Sequence, residues 1–276
     1  MTAADSAARG GTASDFLARI AAQKREELAR REAARPLEAV RAAAAAMPPP
    51  RDFATALAGP APRLVAEIKR VSPAKGALNP TLSPATLARR YAAAGAHALS
   101  VLTDEAFFHG SDADLAEARA AVDLAVLRKD FVISPYQVYE ARALGADAVL
   151  LIAALLEATR LAELHALAAE LGLAALVEVH APDEVAAALG AGASLVGINN
   201  RDLATFRVDL ATTETVRPLL PATVTVVSES GIASPGDVRR VVAAGASAIL
   251  VGEALVTAPD PAARIGELLG VAAWSR

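Results

Sequence analysis

The chain has 276 residues, of which 54% are hydrophobic and 21% charged, a composition that excludes a globally disordered protein. Its net charge of −4 argues against a general nucleic-acid-binding surface, and the absence of cysteine excludes disulfides and cysteine-based metal sites. Because the longest strongly apolar run, residues 148–156, falls far short of the ~20 residues that cross a membrane, we expect a cytoplasmic protein that handles a small molecule and binds neither nucleic acid nor membrane.

The N-terminal part of the chain differs in pattern from the rest. Residues 1–13 are small and polar, and we expect them to be flexible. Over residues 14–50, apolar side chains recur at helical spacing, with the charged run at 24–27 expected to face solvent. Pro36 suits the first turn of a second helix. We therefore expect a helical extension in front of the main domain.

The main domain, residues 51–276, alternates β-rich runs with segments long enough for helices. The runs that predict strands are 64–68, 98–102, 124–127, 148–152, 174–179, 195–198, 223–227 and 248–251. Strands that alternate with helices pair in parallel. Eight of them fit a closed (β/α)8 TIM barrel of the α/β class better than an open sheet, whose edges would need cover.

A weak internal repeat supports this reading. A Gly-Ala pair precedes every second predicted strand, at 95–96, 145–146, 192–193 and 245–246. Glycine there ends the preceding helix in a left-handed turn, and the small alanine lets the chain enter the bottom of the barrel. The period is that of a barrel built from (βα)2 units.

Charged side chains gather at the carboxyl ends of the predicted strands, where barrels of this kind place their chemistry. Glu67 and Lys69 share one face of the first strand. Lys129, Glu178 and Glu229 stand at the ends of the third, fifth and seventh strands. One such charge is usually a structural ion pair, but charges from several strands at one rim indicate an active site.

The residue types suggest the chemistry. Lys129 and Glu178, on nearby strands and partly desolvated, suit an acid–base pair. Lys69 and Arg201 add positive charge, which favours an anionic substrate. Glycine turns after strands seven and eight offer backbone N–H groups to a phosphate, and Ser72 stands on the loop that would close that site.

Several sequence blocks resemble the signature of the indole-3-glycerol phosphate synthase family. They are AEIKRVSPAKG at 66–76, SVLTD at 100–104, FFHGS at 107–111, LRKDF at 127–131, LVEVH at 176–180, INNRDL at 198–203 and SESGI at 228–232. They occur in the family's order, and the resemblance runs from about residue 14 to the C-terminus. It implies a barrel enzyme of tryptophan biosynthesis. Its reaction would convert 1-(2-carboxyphenylamino)-1-deoxyribulose 5-phosphate to indole-3-glycerol phosphate, carbon dioxide and water, with no cofactor or metal.

The resemblance also implies roles for individual residues. Lys129 would be the general acid, Glu178 its acid–base partner in dehydration, and Lys69 the group that holds the substrate carboxylate and shares the acid role. The remaining implied residues are Glu67, Asn199, Arg201 and Glu229, which orient substrate and lysines; Ser72, Ser230, Gly231, Gly252 and Glu253, which line the phosphate site; and Phe108 and Phe131, which wall the anthranilate ring.

Four further expectations concern neighbouring features. Arg128 should face the helices as part of a structural ion pair. His180 follows the fifth-strand block, but the sequence gives it no partner. The Glu253 side chain should turn away, since a carboxylate repels phosphate, leaving the backbone to bind. The N-terminal helices should lie over the mouth of the pocket.

Two other classes of protein remain open at this point. A related phosphate-binding isomerase barrel would use Cys/Asp or paired Asp residues, and here cysteine is absent and no Asp ends the first strand. A catalytically inactive barrel acting as a binding or assembly protein would be expected to lose Lys129, Glu178 or Lys69, and all three are present. The sequence does not fix the oligomeric state, and a monomer is the working expectation.

Overall fold

Aliphatic and β-branched runs form the strands of a closed barrel in the computed structural model, which describes residues 13–73 and 75–270. The strands are β1 (Arg63–Ile68), β2 (Ala98–Leu102), β3 (Ala125–Lys129), β4 (Ala148–Ile152), β5 (Ala174–Val179), β6 (Leu195–Asn199), β7 (Thr225–Glu229) and β8 (Ala248–Val251). They pair in parallel in chain order, and β1 also pairs with β8, which closes the barrel.

Helices surround the barrel and precede it. They are α1 (Ala13–Ala34), α2 (Leu37–Ala46), α3 (Phe53–Ala56), α4 (Pro84–Ala93), α5 (Glu105–Phe108), α6 (Asp112–Ala121), α7 (Pro135–Ala143), α8 (Ala158–Glu170), α9 (Val185–Gly190), α10 (Ala211–Val216), α11 (Pro235–Ala243), α12 (Glu253–Val256) and α13 (Pro261–Leu269). Short 3-10 turns cover Ala153–Leu155, Pro182–Glu184 and Arg217–Leu219, and a two-residue antiparallel ladder joins Val71–Ser72 to Gly76–Ala77 after β1. None of these described helices combines the length and apolar character needed to cross a bilayer.

The predicted (β/α)8 barrel is confirmed, and three strands run further than the sequence indicated. β3 extends through Lys129, β6 through Asn199 and β7 through Glu229. Their main chains keep pairing with neighbouring strands, since Lys129 lies opposite Leu102 and Asn199 opposite Glu229. Polar side chains at these positions therefore project from regular strand rather than from loops.

An apolar layer inside the barrel closes one of its ends. Val65 and Leu127 pack there with Phe53 of α3 and with Leu57 just after it, and all four are almost wholly buried. The first residues of several strands, such as Ala98, belong to the same cluster. The aromatic ring of α3 thus fills the amino-terminal end, and the carboxyl end is left for a cavity.

The Gly-Ala repeat has the predicted structure. The glycines that precede β2, β4, β6 and β8 all have positive φ angles, between 84° and 100°. At Gly95, for example, the helix α4 has just ended, and Ala96 donates its N–H back to the carbonyl of Tyr91. The left-handed turn satisfies the last carbonyls of the helix and sends the chain into the next strand.

The two helices before the barrel begin and end close to where the sequence placed them. α2 starts directly after Pro36, which caps the helix instead of entering its first turn. Its Val40 is buried in a small apolar cluster with Leu28 of α1 and Tyr136 of α7. The flexible segment expected at residues 1–13 lies, except for Ala13, outside the described residues.

The expectation that the charged run in α1 faces solvent is wrong for Lys24, which is fully buried. Ile20, Lys24 and Leu28 follow one another at spacings of four residues, so they share the buried stripe of the helix. The Lys24 ammonium lies 2.8 Å from Asp104 and 2.7 Å from Asp130. These carboxylates follow β2 and β3 and compensate the buried charge.

Candidate active site

The carboxyl ends of the strands surround a cavity of about 1230 Å³. All fourteen residues that the sequence assigned to the site line it: Glu67, Lys69, Ser72, Phe108, Lys129, Phe131, Glu178, Asn199, Arg201, Glu229, Ser230, Gly231, Gly252 and Glu253. No described residue of α1 or α2 does so, and the expectation that these helices lie over the mouth stays a prediction. α1 contacts the rim instead, because Lys24 binds Asp104 and Asp130, which do line the cavity.

Two lysines and three glutamates form the polar centre of the cavity. The Nζ atom of Lys129 lies 2.5 Å from Glu178 Oε2 and 3.1 Å from Glu229 Oε2. Lys69 Nζ lies 2.5 Å from Glu67 Oε1. Because the glutamate side chains are at most 6% exposed, these contacts act with little screening by water.

This environment separates the proton affinities of the central groups. Burial favours the neutral amine of Lys129, but the nearby carboxylates, Glu178 foremost, outweigh it and raise its pKa. Burial likewise favours the neutral form of Glu178, yet Lys129 and His180 hold its pKa below the ordinary value. The centre therefore pairs an ammonium with a carboxylate at neutral pH.

Glu229 behaves in the opposite way. Burial first, and then the charges of Glu178 and Glu67 against the opposing pull of Lys129, raise its pKa to about 8. Its Oε1 atom is buried and has no hydrogen-bond partner among the described residues. A protonated Glu229 would present an O–H group beside Lys129, whereas Glu178 presents a charge. The raised pKa of Glu229 and the lowered pKa of Glu178 thus favour opposite protonation states for the two glutamates near neutral pH.

Two glycines make room for the glutamates. A Cβ atom at Gly197 of β6 would stand 2.1 Å from Glu229 Oε1, and one at Gly252 would stand 2.2 Å from Glu67 Oε1. Both distances are far below van der Waals contact. Any side chain at these positions would therefore displace a carboxyl group of the polar centre.

A buried amide shapes the turn after β7. Asn200 Nδ2 donates to Ser228 Oγ and to the carbonyls of Glu229 and Ser230, while its Oδ1 accepts from Thr213. With this support Ser230 adopts a φ of 65°, which non-glycine residues rarely do. Asn200 is absent from the predicted site, and its hydrogen bonds hold the strand end that bears Glu229 and Ser230.

Glu253, which begins the short helix α12, has a partner that the sequence did not indicate, and the expectation that its side chain turns away from a phosphate stays a prediction. Its Oε1 atom lies 2.6 Å from the Nζ atom of Lys75, which stands on the loop after β1 and also lines the cavity. The ammonium offsets the repulsion that the carboxylate would exert on a phosphate.

Aromatic and aliphatic side chains form the apolar wall. The rings of Phe108 and Phe131 lie 6.2 Å apart, and Phe107 meets Phe131 edge-on at 6.1 Å. Leu150 and Ile152 of β4 line the same cavity. Such a surface suits a flat aromatic ring.

Two basic residues beside the site, Arg128 and His180, have different surroundings. Arg128 faces the helices as expected, 2.8 Å from Glu140 of α7 and 3.1 Å from Asp112 of α6. His180, for which the sequence gave no partner, lies 3.2 Å from Glu178. A signal was available in the spacing, because His180 directly follows β5 and stands two residues beyond Glu178.

Solved structures resemble this fold at low sequence identity. A 3-hexulose-6-phosphate synthase aligns with a TM-score of 0.59 and 18% identity, over 75% of this chain and 98% of that one. The thiamine phosphate pyrophosphorylase of Pyrococcus furiosus aligns with a TM-score of 0.57 and 21% identity, over 76% and 94% of the two chains. At such identities the likeness concerns the barrel alone.

Fold and site together define a (β/α)8 barrel whose cavity holds a buried centre of lysines and glutamates. The family model described as indole-3-glycerol phosphate synthase matches residues 17–268. Proteins of that name from Leifsonia xyli subsp. xyli and Roseiflexus sp. are 53% and 52% identical, over 93% and 92% of this chain and 99% and 98% of theirs. The chain belongs to the indole-3-glycerol phosphate synthase family, whose enzymes are decarboxylating, ring-closing lyases of tryptophan biosynthesis.

Proposed function

We propose that the family's ring closure takes place in the cavity of this barrel with Lys129 and Glu178 as its acid–base pair. The observation that carries this proposal is the 2.5 Å contact between Lys129 Nζ and Glu178 Oε2 inside the cavity. An ammonium and a carboxylate held together in a shielded site can give and take protons at defined positions.

In the first step the aromatic ring attacks the ketone carbon of the substrate, forming the new carbon–carbon bond. The ketone oxygen gains negative charge as the bond forms, and the Lys129 ammonium supplies the proton that it needs. The ring carbon that forms this bond carries the carboxylate, which Lys69 holds. Loss of carbon dioxide then returns its electron pair to the ring and restores aromaticity.

Dehydration completes the reaction. The hydroxyl made in the first step leaves as water after protonation by a lysine ammonium, and Glu178, kept ionised, takes the proton that the substrate releases. Lys129 and Lys69 share the acid role. Glu67, Asn199, Arg201 and Glu229 orient the substrate and the two lysines.

In this proposal the two ends of the substrate bind at different parts of the cavity. Backbone N–H groups around Ser230, Gly231, Gly252 and Glu253, with the Ser72 hydroxyl, bind the phosphate. Phe108 and Phe131 contact the anthranilate ring. The partner is thus a phosphorylated small molecule, neither nucleic acid nor membrane, and the enzyme works as a cytoplasmic monomer without a cofactor.

The domain arrangement belongs to the same proposal. Residues 51–276 form the catalytic domain, and residues 14–50 form an extension that braces it. One bracing contact is the Lys24 ion pair with Asp104 and Asp130 at the cavity rim, and another is the apolar cluster of Leu28, Val40 and Tyr136.

The test is turnover of 1-(2-carboxyphenylamino)-1-deoxyribulose 5-phosphate, followed by indole fluorescence, for the wild type, Lys129→Ala and Glu178→Gln. Both variants should keep the wild-type unfolding temperature within a few degrees and lose about 100-fold or more in kcat, the usual effect of removing a general acid or base. Substrate binding without turnover in the wild type would point to an inactive binding barrel. Full activity in Lys129→Ala would contradict the assigned roles.

A further inference from the structure

A second titratable cluster touches the acid–base pair from outside the cavity. His180 follows β5 directly, and its side chain is 8% exposed. Its Nε2 atom lies 3.2 Å from Glu178 Oε1, and its Nδ1 atom lies 3.6 Å from Glu184 Oε2. The same Glu184 oxygen accepts the backbone N–H of His180 at 2.8 Å. The ring is thus held between two carboxylates.

The two oxygens of Glu178 therefore face two different cations. Oε2 meets Lys129 of β3 at 2.5 Å, and Oε1 meets His180 at 3.2 Å. Neither ring nitrogen of His180 has a hydrogen-bond partner among the described residues, so the contact with Glu178 is an ion pair rather than a hydrogen bond. A cation on each oxygen favours the orientation in which Oε2 faces Lys129 and Oε1 faces the imidazole ring.

The charges around His180 favour its protonated form. Glu178 and Glu184 flank the ring on its own segment, and Asp202, on the loop after β6, adds a weaker negative field. Burial acts against the charge, but the two glutamates outweigh it and raise the pKa of His180 to about 9. The raised pKa favours the protonated ring near neutral pH. The ring does not line the cavity.

We propose that His180 is a positioning residue for the reaction: its imidazolium holds Glu178 ionised and oriented toward Lys129 without touching the substrate. This inference rests on the proposed function, in which Glu178 is the base of the dehydration step. A residue of this kind affects the chemical step and the ionisation of Glu178, and it leaves substrate affinity nearly unchanged.

The test compares wild type, His180→Gln and His180→Ala in kcat, KM and the pH dependence of kcat. His180→Ala removes both contact and charge and should lower kcat by roughly 10-fold to 100-fold, as expected for loss of a charge-assisted contact, with KM within about twofold. His180→Gln keeps an N–H donor without the charge and should recover part of kcat. In both variants the acid limb of the kcat profile should move up by about one pH unit, because Glu178 has lost a neighbouring cation.

His165→Gln is the matched control, since His165 lies in α8 and does not line the cavity. Its kcat and pH profile should equal those of the wild type. An unchanged acid limb in His180→Gln, in a variant with normal unfolding temperature, would overturn the inference. Lys129→Ala, measured alongside, separates the two proposals: if that variant remains active, it is the proposed function that fails. Loss of activity in Lys129→Ala with no effect at His180 refutes the positioning role alone.

Discussion

Gly197 has no side chain, and the space that this leaves is occupied by the carboxyl group of Glu229. Gly197→Ala would place a Cβ atom 2.1 Å from Glu229 Oε1. We expect kcat to fall by at least about 10-fold, because a shift of this size misaligns reacting groups, while the unfolding temperature falls only slightly since the end of a side chain can rotate. Steady-state kinetics and thermal unfolding would be measured on the same sample.

Gly190→Ala provides the control for that experiment. Gly190 ends α9, and a Cβ atom there would meet nothing within 4 Å. Its kcat should be unchanged, and stability should rise by up to about 1 kcal/mol because alanine is the better helix former. Equal activity in Gly197→Ala and Gly190→Ala would contradict the claim that Glu229 needs its present position.

Glu229 also ties stability to pH. Its pKa in the folded chain, about 8, exceeds the ordinary 4.5, so the folded state keeps a proton that the unfolded state releases between these values. The stability from this proton is complete below about pH 4.5 and is lost as pH rises through about 8. His180 has the same sign but acts only from about pH 6.5 to 9.

The corresponding measurement is thermal unfolding at pH values from about 5 to 9 for wild type, Glu229→Gln and His180→Gln. Glu229→Gln should flatten the fall in unfolding temperature in the lower part of this range, where His180 does not titrate. His180→Gln should flatten the upper part. A wild-type unfolding temperature that rises from pH 5 to pH 8 would contradict the expectation that Glu229 and His180 dominate the pH dependence of stability.

At the scale of elements, α1 is bound to the barrel by a buried charge. Lys24→Met would leave Asp104 buried without its cation and Asp130 with Arg128 alone, 3.5 Å away. Removing one partner of a buried pair costs about 3–5 kcal/mol. For a chain of this size that corresponds to a fall of roughly 10 °C in unfolding temperature. Differential scanning calorimetry would measure it.

Arg25→Met is the control in the same helix, because Arg25 is the exposed neighbour of Lys24. It should change stability by no more than about 0.5 kcal/mol. Similar losses in both variants would mean that helix propensity, and not the ion pair, is responsible.

Deleting residues 1–50 removes Lys24 with the helix. We expect it to raise KM, since Asp130 adjoins Lys129 and Phe131, and an unchanged KM would count against this.

At the scale of the molecule, local patterns predicted most of the fold and the polar residues of the cavity. The strands, the glycine turns and the residues at the strand ends follow from periodicity and from the rule that barrels work at their carboxyl ends. Contacts between segments that lie far apart in the sequence could not be predicted from it. Lys24 resembles a solvated charge until Asp104 and Asp130 fold against it, and Glu253 lacks a partner until the loop after β1 brings Lys75 to it.

The pairing of β1 with β8 has a consequence for synthesis of the chain. Val65 of β1 pairs with Ala98 on one side and with Leu250 on the other, so the strand made first needs the strand made last. Before β8 has left the ribosome, the nascent sheet has two open edges, and Glu67 lacks the wall at Gly252 that it packs against. The contact between Lys129 and Glu178 joins β3 to β5 and does not involve β8, whereas the surroundings of Glu67 are complete only after β8 has been translated and has paired with β1.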